Sequence, residues 1–453
     1  MMTPRPTPSR RAFATIVVLW VVGIASIVLV ALQTTAWRDA ADARQAVAQT
    51  RAKWAARAGI EAAIAALAAN TLQPDLTDAF STDADLRAAA SGSLTGASYS
   101  VFHWTPTDPA APGPIDEHSK ININLMTAES LMLLPYMTED VADAILDWID
   151  EDDDARPLGA EAGYYATLRN PYEPRNAPIR SLQELELIAG VRPEYVRGED
   201  WNLNGILDPN EDDGDLSWPP DNADGKLDAG WSAILTAASS DGVLLGASGR
   251  RRLDLVTASP ADIAQRLGVT SDQAEVISAY AQTSTATLAE FLRTDLNTLA
   301  RQTGVFQSTP GFGGGASPQR RIDPLTDQQL ALLFAETTLD EAAAGPFPGK
   351  LNINTCPAEV LQYLPGIDPG LADSIIFERE SRTGGFANII DLLSVPAMDR
   401  NTLAGLVAMI DTRSNVYTVV SRGRDAATGL EVEISATIDR SSLPVVIKDL
   451  LIR

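Results

Sequence analysis

The segment that most constrains this chain is an uncharged stretch close to its N-terminus. Residues 12–37 contain no charged side chain, and the strongly apolar part covers residues 12–32. A helix rises about 1.5 Å per residue, so this part can cross the roughly 30 Å hydrocarbon core of a bilayer. An alanine-rich helical pattern then continues, with neither Gly nor Pro before Gly59, until Asn70 and Pro74 end it. The sequence therefore predicts one rod that begins as a membrane span and continues as a soluble helix.

A short basic segment precedes this span. Residues 1–11 contain Arg5, Arg10 and Arg11 and no acidic residue. Positively charged flanks stay on the cytoplasmic side of a span, so we expect the C-terminal bulk to lie across the membrane. A cleaved secretory signal is the alternative, but the apolar core of such a signal has only about 7–15 residues. The longer core here favours an uncleaved anchor with a single span at residues 13–33.

The remaining composition limits the kinds of function. The net charge of −25 disfavours nucleic acid as a partner, because phosphate binding needs Lys and Arg concentrated on a surface. The single Cys356 excludes an internal disulfide. His103 and His118 are the only histidines, so zinc sites and Cys/His or Ser/His catalysis lack their residues. The sequence therefore predicts that the chain is not an enzyme.

Segments on both sides of a long middle region predict a small sheet. Residues 71–96 are polar and rich in Gly, Ser and Asp, which predicts a loop after the rod. Alternating apolar residues predict strands at 97–104, 416–421, 430–438 and 443–452. We therefore expect an α+β fold in which 34–105 and 416–453 form one domain and 115–412 is a helical insertion.

The middle region contains an internal repeat, with copies near 121, 253 and 351. Ile-Asn-Ile-Asn at 121–124 and Leu-Asn-Ile-Asn at 351–354 are close copies, and Leu-Asp-Leu-Val at 253–256 is a weaker one. In each copy a short extended segment leads to a Ser or Thr helix cap and then to a helix. In the last copy Leu-Pro-Gly-Ile at 364–367 predicts a tight turn into a second helix. This pattern is a helix-hairpin-helix signature.

One loop, residues 200–211, has the spacing of an EF-hand-type calcium loop. Glycine occupies position 6, and position 7, Ile206, would contribute its carbonyl oxygen. The oxygen-bearing side chains at positions 1, 3, 5, 9 and 12 are Asp200, Asn202, Asn204, Asp208 and Glu211. The flanking segments are poor helix candidates, so the sequence predicts an isolated loop with structural Ca²⁺ and not an EF-hand domain.

Two further acidic segments are open between a cation site and a solvated surface. Residues 221–228 repeat the core of the calcium loop, but Pro220 and Trp231 stand at its first and last ligand positions. Residues 147–154 include five successive carboxylates and are followed by Glu161. Adjacent carboxylates repel one another unless a cation or solvent compensates them.

These parts together resemble the GspK family, the large minor pseudopilins of type II secretion systems. The resemblance implies a pilin-like long N-terminal helix packed on a small antiparallel sheet, with a large helix-hairpin-helix insertion. The most specific stretch is 147–185, with Asp-Trp-Ile-Asp-Glu-Asp-Asp, Gly-Ala-Glu, Tyr-Tyr, Asn-Ala-Pro and Ser-Leu-Gln-Glu-Leu in that order. The other stretches are Arg10–Phe13, Lys120–Asn124 and Leu351–Asn354.

The resemblance implies processing of the N-terminus. Family members carry a basic leader that prepilin peptidase removes, and the leader here would be residues 1–12. The cut would fall between Ala12 and Phe13, where the family usually has Gly before the cut, and Phe13 would then be methylated. Val17 stands where most pilins have a glutamate. GspK-like proteins lack that glutamate, so this departure agrees with the family.

The resemblance also implies a location, partners and a metal. Members span the inner membrane once, with a cytoplasmic N-terminus and a periplasmic domain. With two other minor pseudopilins they cap a short pseudopilus above the inner-membrane secretion platform, and so act in protein secretion across the outer membrane. They bind calcium in the acidic loop of the insertion, which implies Asp150, Asp152, Asp153 and Glu161 here. Residues 199–345 diverge from the family.

Two alternatives come from other classes of protein. A membrane-tethered DNA-binding protein is one, since helix-hairpin-helix turns can hold DNA phosphates through their amides. The mixed charges of residues 366–382, and Glu139 and Asp140 in the first hairpin, disfavour it. A calcium-dependent hydrolase at the membrane is the other, and the chain lacks catalytic residues for it.

Overall fold

The chain is described by a computed structural model. Residues 1–9, which form most of the predicted leader, lie outside the described residues. The described ranges are 10–75, 77–105, 108–241, 246–305, 321–339 and 347–452.

Helices dominate the elements of this fold. The α-helices are α1 (Arg10–Leu72), α2 (Ser81–Ala88), α3 (Ala128–Leu131), α4 (Glu139–Ile149), α5 (Ala162–Tyr165), α6 (Pro193–Arg197), α7 (Pro260–Leu267), α8 (Ser271–Ala281), α9 (Glu290–Arg293), α10 (Leu296–Thr303), α11 (Asp327–Glu336), α12 (Ala358–Leu361), α13 (Pro369–Ser381) and α14 (Arg400–Leu406). Short 3₁₀ helices cover Glu117–Ser119, Ile123–Leu125, Leu182–Leu187, Gly230–Ala233 and Ile389–Ser394.

The strands are long at the two ends of the chain and very short between them. They are β1 (Ser91–Leu94), β2 (Ala97–His103), β3 (Ala111–Pro112), β4 (Ile115–Asp116), β5 (Ile121–Asn122), β6 (Leu235–Thr236), β7 (Ser240–Asp241), β8 (Leu253–Asp254), β9 (Thr337–Thr338), β10 (Phe347–Pro348), β11 (Leu351–Asn352), β12 (Ile410–Asp411), β13 (Val416–Asp425), β14 (Glu431–Asp439) and β15 (Val446–Ile452).

Helix α1 is the predicted rod, and it runs unbroken for 63 residues. Its most apolar window has a mean hydropathy of 2.8 and is 0% buried, so by length and composition the helix can cross a membrane. Burial against the rest of the protein begins only at Ala48. The two halves of one helix therefore have different surroundings, as the change from apolar to amphipathic sequence predicts.

The second half of α1 packs closely on the sheet. Ala52 and Ala56 are fully buried there, and Ile60 and Leu67 continue the same face with larger side chains. Gly423 of β13 lies directly beneath the alanines, and a Cβ atom on it would be 1.9 Å from the carbonyl oxygen of Ala52. Small residues on both surfaces let the helix backbone approach the strand backbone, and the larger side chains then close the core.

The main sheet joins the two ends of the chain. Its order is β1-β2-β13-β14-β15, and each neighbouring pair is antiparallel. Ser421 of β13 pairs with Val101 of β2 on one side and with Ile434 of β14 on the other. A strand that precedes the helical region thus lies beside strands that follow it. The helical region is an insertion into this domain.

The segment predicted as a loop at 71–96 contains regular structure, so that prediction was wrong in part. Helix α2 and strand β1 lie within it. Leu86 of α2 is 1% exposed, and Gly96, at a φ of 78°, makes the turn from β1 into β2. A single buried leucine and a polar four-residue strand show no periodic apolar pattern, and tertiary contacts decide such segments.

The insertion consists of three units of one kind. Each opens with a two-residue strand that pairs in parallel with a closing strand: β5 with β6, β8 with β9, and β11 with β12. Helical hairpins fill each unit, and in the third they are α12–α13 followed by the 3₁₀ helix Ile389–Ser394 with α14. Parallel strands need a long crossover, and here the whole helical unit is the crossover. The predicted repeats are the openings of these units.

The second asparagine of the repeated motif has the same task in two units. The Asn124 side chain accepts a hydrogen bond from Ile179 N at 2.7 Å and donates one to Ile179 O at 2.9 Å. Asn354 makes the equivalent pair with Phe386, at 2.8 Å and 2.9 Å. A carboxamide can satisfy one backbone donor and one acceptor at once, so it fastens the first hairpin of a unit to the second.

Candidate metal centres

Three of the four predicted carboxylates at the end of α4 come together. Asp150, Asp152 and Glu161 each place an oxygen within 4.8 Å of the others. Asp150 caps the C-terminus of α4, and Glu161 precedes α5, so two helix ends position the cluster. Glu161 is 6% exposed, yet neither of its carboxylate oxygens has a hydrogen-bond partner, and Asp150 Oδ1 has none either. Buried oxygens without donors are the surroundings that a cation requires.

Electrostatics give the same result for this acidic cluster. Burial, together with the nearby carboxylates Asp147, Asp150, Asp153 and Asp152, raises the pKa of Glu161 to about 7. A carboxyl group in such surroundings tends to hold a proton unless a cation replaces it. The cluster therefore fits a hard divalent cation that prefers oxygen ligands.

Asp147 lies next to this cluster but is not one of its three gathered carboxylates. Its carboxylate is 0% exposed, and its Oδ1 accepts a hydrogen bond from Arg156 NH1 at 2.6 Å. The same NH1 reaches Asp150 Oδ2 at 2.5 Å. Gly159 packs against Asp147, since a Cβ there would be 1.9 Å from Asp147 Oδ2. This packing explains the glycine in the Gly-Ala-Glu stretch.

The fourth predicted ligand, Asp153, lies outside the cluster of three. Its Oδ1 accepts a hydrogen bond from Asn176 Nδ2 at 2.9 Å. The Oδ1 atom of Asn176 is buried without a partner, and its backbone has a φ of 47°. Asn176 is therefore a further candidate oxygen ligand that sequence reasoning did not assign. It belongs to the Asn-Ala-Pro stretch, which was the available signal.

The predicted calcium loop at 200–211 is wound as its spacing requires. Asp200 accepts hydrogen bonds from Asn204 N and Gly205 N, both at 2.9 Å. Leu203 and Gly205 have positive φ values of 54° and 66°, which turn the backbone sharply. Asp200 and Asn204 are 3% and 2% exposed. The backbone thus folds around the side chains at loop positions 1 and 5.

Glu211 closes the loop from its last position. Its two carboxylate oxygens accept hydrogen bonds from Trp201 N at 3.0 Å and Asp208 N at 3.1 Å. The side chain is 1% exposed, and burial raises its pKa to about 7, with Asp200 and Asp208 also raising it. The two backbone bonds oppose this shift only in part. Glu211 is therefore a second buried carboxylate whose charge the protein does not balance.

The middle of this loop is held by its own side chains. The Asp208 carboxylate accepts hydrogen bonds from the amide groups of Asn202 at 2.8 Å and Asn204 at 3.0 Å. Arg422 of β13 pairs with the other oxygen of Asp208 at 2.9 Å. Metal binding would require both amides to turn their oxygens inward. Ile206, whose carbonyl was predicted as a ligand, is buried in the same loop at 3% exposure.

The two predicted sites differ in how tightly their carboxylates are gathered. Asp150, Asp152 and Glu161 form a compact group, in which one carboxylate oxygen of each lies within 4.8 Å of those of the others. Within the described ranges, no other group of three Asp, Glu, His or Cys side chains is gathered as tightly. The carboxylates of the 200–211 loop are spread more widely. Two of its ligand positions are amides, and Arg422 attracts Asp208 toward the sheet.

The partial loop at 221–228 takes its missing groups from outside its own sequence. Glu199 accepts hydrogen bonds from Asn222 N at 3.1 Å and Asp228 N at 3.2 Å, much as Glu211 does in the first loop. Asp212 accepts one from Gly225 N at 2.9 Å, as Asp200 does for Gly205. Because these groups are distant in sequence from positions 1 and 12, spacing within the loop did not reveal them.

Comparison with protein-family models gives two matches, which lie mostly in the insertion. Residues 111–198 match the first domain of "Type II secretion system (T2SS), protein K", and residues 348–410 match "Helix-hairpin-helix motif". A long apolar helix packed on an antiparallel sheet, with a helical domain inserted between strands, defines a pilin-like subunit with an inserted domain. The match at 111–198 assigns that segment to the type II secretion system protein K family, whose minor pseudopilins the motifs of this chain resemble.

One similar solved structure is described as the crystal structure of the GspK-GspI-GspJ complex from the enterotoxigenic Escherichia coli Type 2 Secretion System. The likeness covers 91% of this chain and 99% of that chain, at 12% sequence identity and a TM-score of 0.47. Comparison with curated protein sequences finds no match.

Proposed function

We propose that this chain acts at the tip of the type II secretion pseudopilus, as a minor pseudopilin in protein secretion across the outer membrane. The observation that carries the proposal is the place of the protein K domain. Residues 111–198 begin the insertion directly after the strands that pack on α1. The same chain thus combines an assembly helix with a family-specific domain.

The surface of α1 suits assembly with other helices. Residues 13–47 of α1 are exposed in the monomer, including Phe13 at 74% and Val17 at 44%. Residues 13–37 of this surface are uncharged, so they can lie in the membrane and later pack among similar helices without burying a charge. The bulky insertion would obstruct another subunit stacked above it, which favours the tip. We therefore expect the other minor pseudopilins as partners, with the inner-membrane secretion platform beneath them.

The same helix supports a proposed membrane topology. The apolar half would anchor the protein in the inner membrane, with the basic leader in the cytoplasm and the folded domain in the periplasm. Prepilin peptidase would cut between Ala12 and Phe13 and leave Phe13 as a methylated N-terminus. The single span would hold the subunit in the inner membrane until it assembles.

Calcium would brace the insertion in this function. Asp150, Asp152 and Glu161, with Asn176 beside them, would hold one ion, and residues 200–211 would hold another. The second loop also contacts the sheet directly, through Arg422 and through the hydrogen bond from Trp104 N to Gly205 O at 2.9 Å. An ion there would stiffen the junction between insertion and sheet. The role that we propose for calcium is structural, because its hard oxygen ligands would join segments of the insertion and the sheet.

DNA binding is the less favoured function for the helix-hairpin-helix units. In the third unit, the Asp368 carboxylate accepts a hydrogen bond from Leu371 N at 2.8 Å, at the N-terminus of α13. A DNA phosphate bound at this helix N-terminus would need that amide as a hydrogen-bond donor. The Asp368 carboxylate already accepts its hydrogen bond.

Mass spectrometry of the protein taken from membranes tests pilin processing. We expect a mature chain that begins at Phe13 and carries one added methyl group on its N-terminal nitrogen. Replacement of Ala12 by a bulky residue should leave the leader attached, and Ala12→Gly, which restores the family's usual residue, should still be cut. An intact Met1, or a cut C-terminal to the apolar segment, would contradict the proposal.

A further inference from the structure

A cavity lies where the insertion returns to the sheet, away from the predicted metal centres. Its volume is about 110 Å³. The end of α1 bounds it on one side, and residues 410–415, which lead from β12 into β13, bound it on another. Side chains of the second and third units, such as Phe334 and Ile389, complete the lining. Three parts of the chain meet at this cavity.

The cavity gathers positive charge in a strongly acidic chain. The net charge of the chain is −25, yet the described lining residues include four cations and only one carboxylate, that of Asp411. The cations are Arg252, Lys350, Arg413 and Arg440. This local charge is opposite in sign to that of the protein as a whole.

Backbone carbonyl groups position three of these cations. A carbonyl oxygen orients a cationic group but does not neutralise its charge, so an anion can still bind it. The bonds are Arg413 NH1 to Ala247 O at 2.8 Å, Lys350 Nζ to Val407 O at 2.8 Å and Arg440 Nε to Ser414 O at 2.9 Å.

Two carboxylates lie close to Arg252 and Lys350. Asp411 Oδ2 lies 3.8 Å from Arg252 NH2, which is a long ion pair. Asp241 is a further acidic neighbour of Lys350 and Arg252, and burial raises its pKa, which favours its neutral form. Within the described lining of this cavity, four cationic side chains therefore face one carboxylate, and Asp75, Asp78, Asp83 and Asp116 line the adjoining smaller cavity instead.

Arg413 is buried and lies beside other cations of this cavity. Burial lowers its pKa, and its cationic neighbours Arg440 and Arg252 lower it further. Asp411 and Glu336 act in the opposite direction, but Glu336 already pairs with Arg266 at 2.9 Å. Holding this guanidinium away from water and beside other positive charges is unfavourable. A bound anion would offset that unfavourable free energy.

We propose that this cavity binds a small tetrahedral oxyanion of the sulfate or phosphate kind. A guanidinium presents paired N–H donors that match the oxygens of such an ion, and several lie around one space here. Arg252 comes from the second unit, Arg413 from the return segment and Arg440 from the end of β14. One anion would thus bridge three parts and fix the insertion on the sheet.

The test uses the full chain in detergent, with calcium held constant, and millimolar sulfate replacing chloride at constant ionic strength. We expect a saturable rise in the midpoint of thermal unfolding of about 2–4 °C, and a matching binding isotherm by calorimetry. Phosphate should compete for the same site. Saturation distinguishes binding from the unsaturable stabilisation that excluded salts produce at high concentration.

Two variants locate the effect. Arg413→Gln should weaken sulfate binding at least tenfold, whereas Arg400→Gln, which removes an exposed arginine paired with Asp327 on the surface, should leave it unchanged. Should Arg413→Gln fail to fold, the titration of the unchanged protein still decides the matter. No saturable response in that protein, or equal loss in both variants, would overturn the proposal.

Discussion

Removal of calcium by a chelator is expected to lower the midpoint of thermal unfolding of residues 38–453 by about 5–11 °C, depending on whether one or both sites are occupied. An ion present at 100 times its dissociation constant stabilises the folded state by about 2.7 kcal/mol, and two sites double this value. In a chain of this size each kcal/mol moves the midpoint by roughly 2 °C. Differential scanning calorimetry in chelator and in calcium measures this shift directly.

The physical reason lies in two carboxylates that the protein leaves unbalanced. Glu161 and Glu211 are both buried, and burial raises the pKa of each to about 7. In the metal-free protein these groups either carry an uncompensated charge or hold a proton. Bound calcium would neutralise these carboxylates in the folded state. The unfolded chain has no preformed site for the ion, so calcium stabilises the folded state.

Magnesium is the control for this prediction. It demands a compact octahedral shell and loses its water reluctantly, so the wide loop at 200–211 should select calcium. Calcium added after chelation should therefore restore the midpoint of thermal unfolding. The same concentration of Mg²⁺ should restore only a small part of it. A melting curve that is the same in chelator and in calcium would contradict both metal centres.

Glu161→Gln should change the stability in opposite directions with and without calcium. In calcium-free buffer at neutral pH, we expect the variant to be more stable than the unchanged protein by about 1–3 kcal/mol, since it removes a buried charge among other carboxylates. The affinity of this centre for Ca²⁺ should be at least tenfold lower in the variant than in the unchanged protein. Chemical unfolding in both buffers, with calcium titration by calorimetry, measures the two effects.

The pH dependence has a definite sign. The folded pKa of Glu161 lies near 7 in the metal-free protein, above its ordinary value of 4.5. The protonated form stabilises the fold fully below the unfolded pKa, and this contribution is lost as pH rises through 7. The calcium-free protein should therefore lose stability from pH 5 to pH 8, and Glu161→Gln should lose less.

Glu151→Gln is the matched control, since Glu151 belongs to the same acidic run but is exposed. It should behave as the unchanged protein in both buffers. If Glu161→Gln kept the full calcium response at this centre, or destabilised the calcium-free protein, Glu161 would not be a ligand.

The sequence predicts features that depend on local pattern. The rod, the alternating tail strand around Val432–Ile438 and the paired Asn motifs all follow from periodicity or direct repetition. The acidic cluster came from the family resemblance, and the structure gathers three of its four predicted members. Asp153 differs because Asn176, distant in the chain, holds its side chain.

Features built by distant contacts were not predictable from spacing. The closing strands β6, β9 and β12 have two residues each and show no pattern of their own. Glu199 and Asp212 complete the second loop from outside it, and only the fold places them there. The same holds for the cavity around Arg413, whose cations lie far apart in sequence.

The most direct test of the account is assembly with the other minor pseudopilins of the same secretion system. Residues 38–453 should be mixed with the soluble domains of the two partners in calcium, and the product analysed by size-exclusion chromatography with light scattering. The account predicts one stable complex that contains a single copy of each of the three chains. A chain that remains monomeric with both partners present, although it is folded and calcium-loaded, would contradict it.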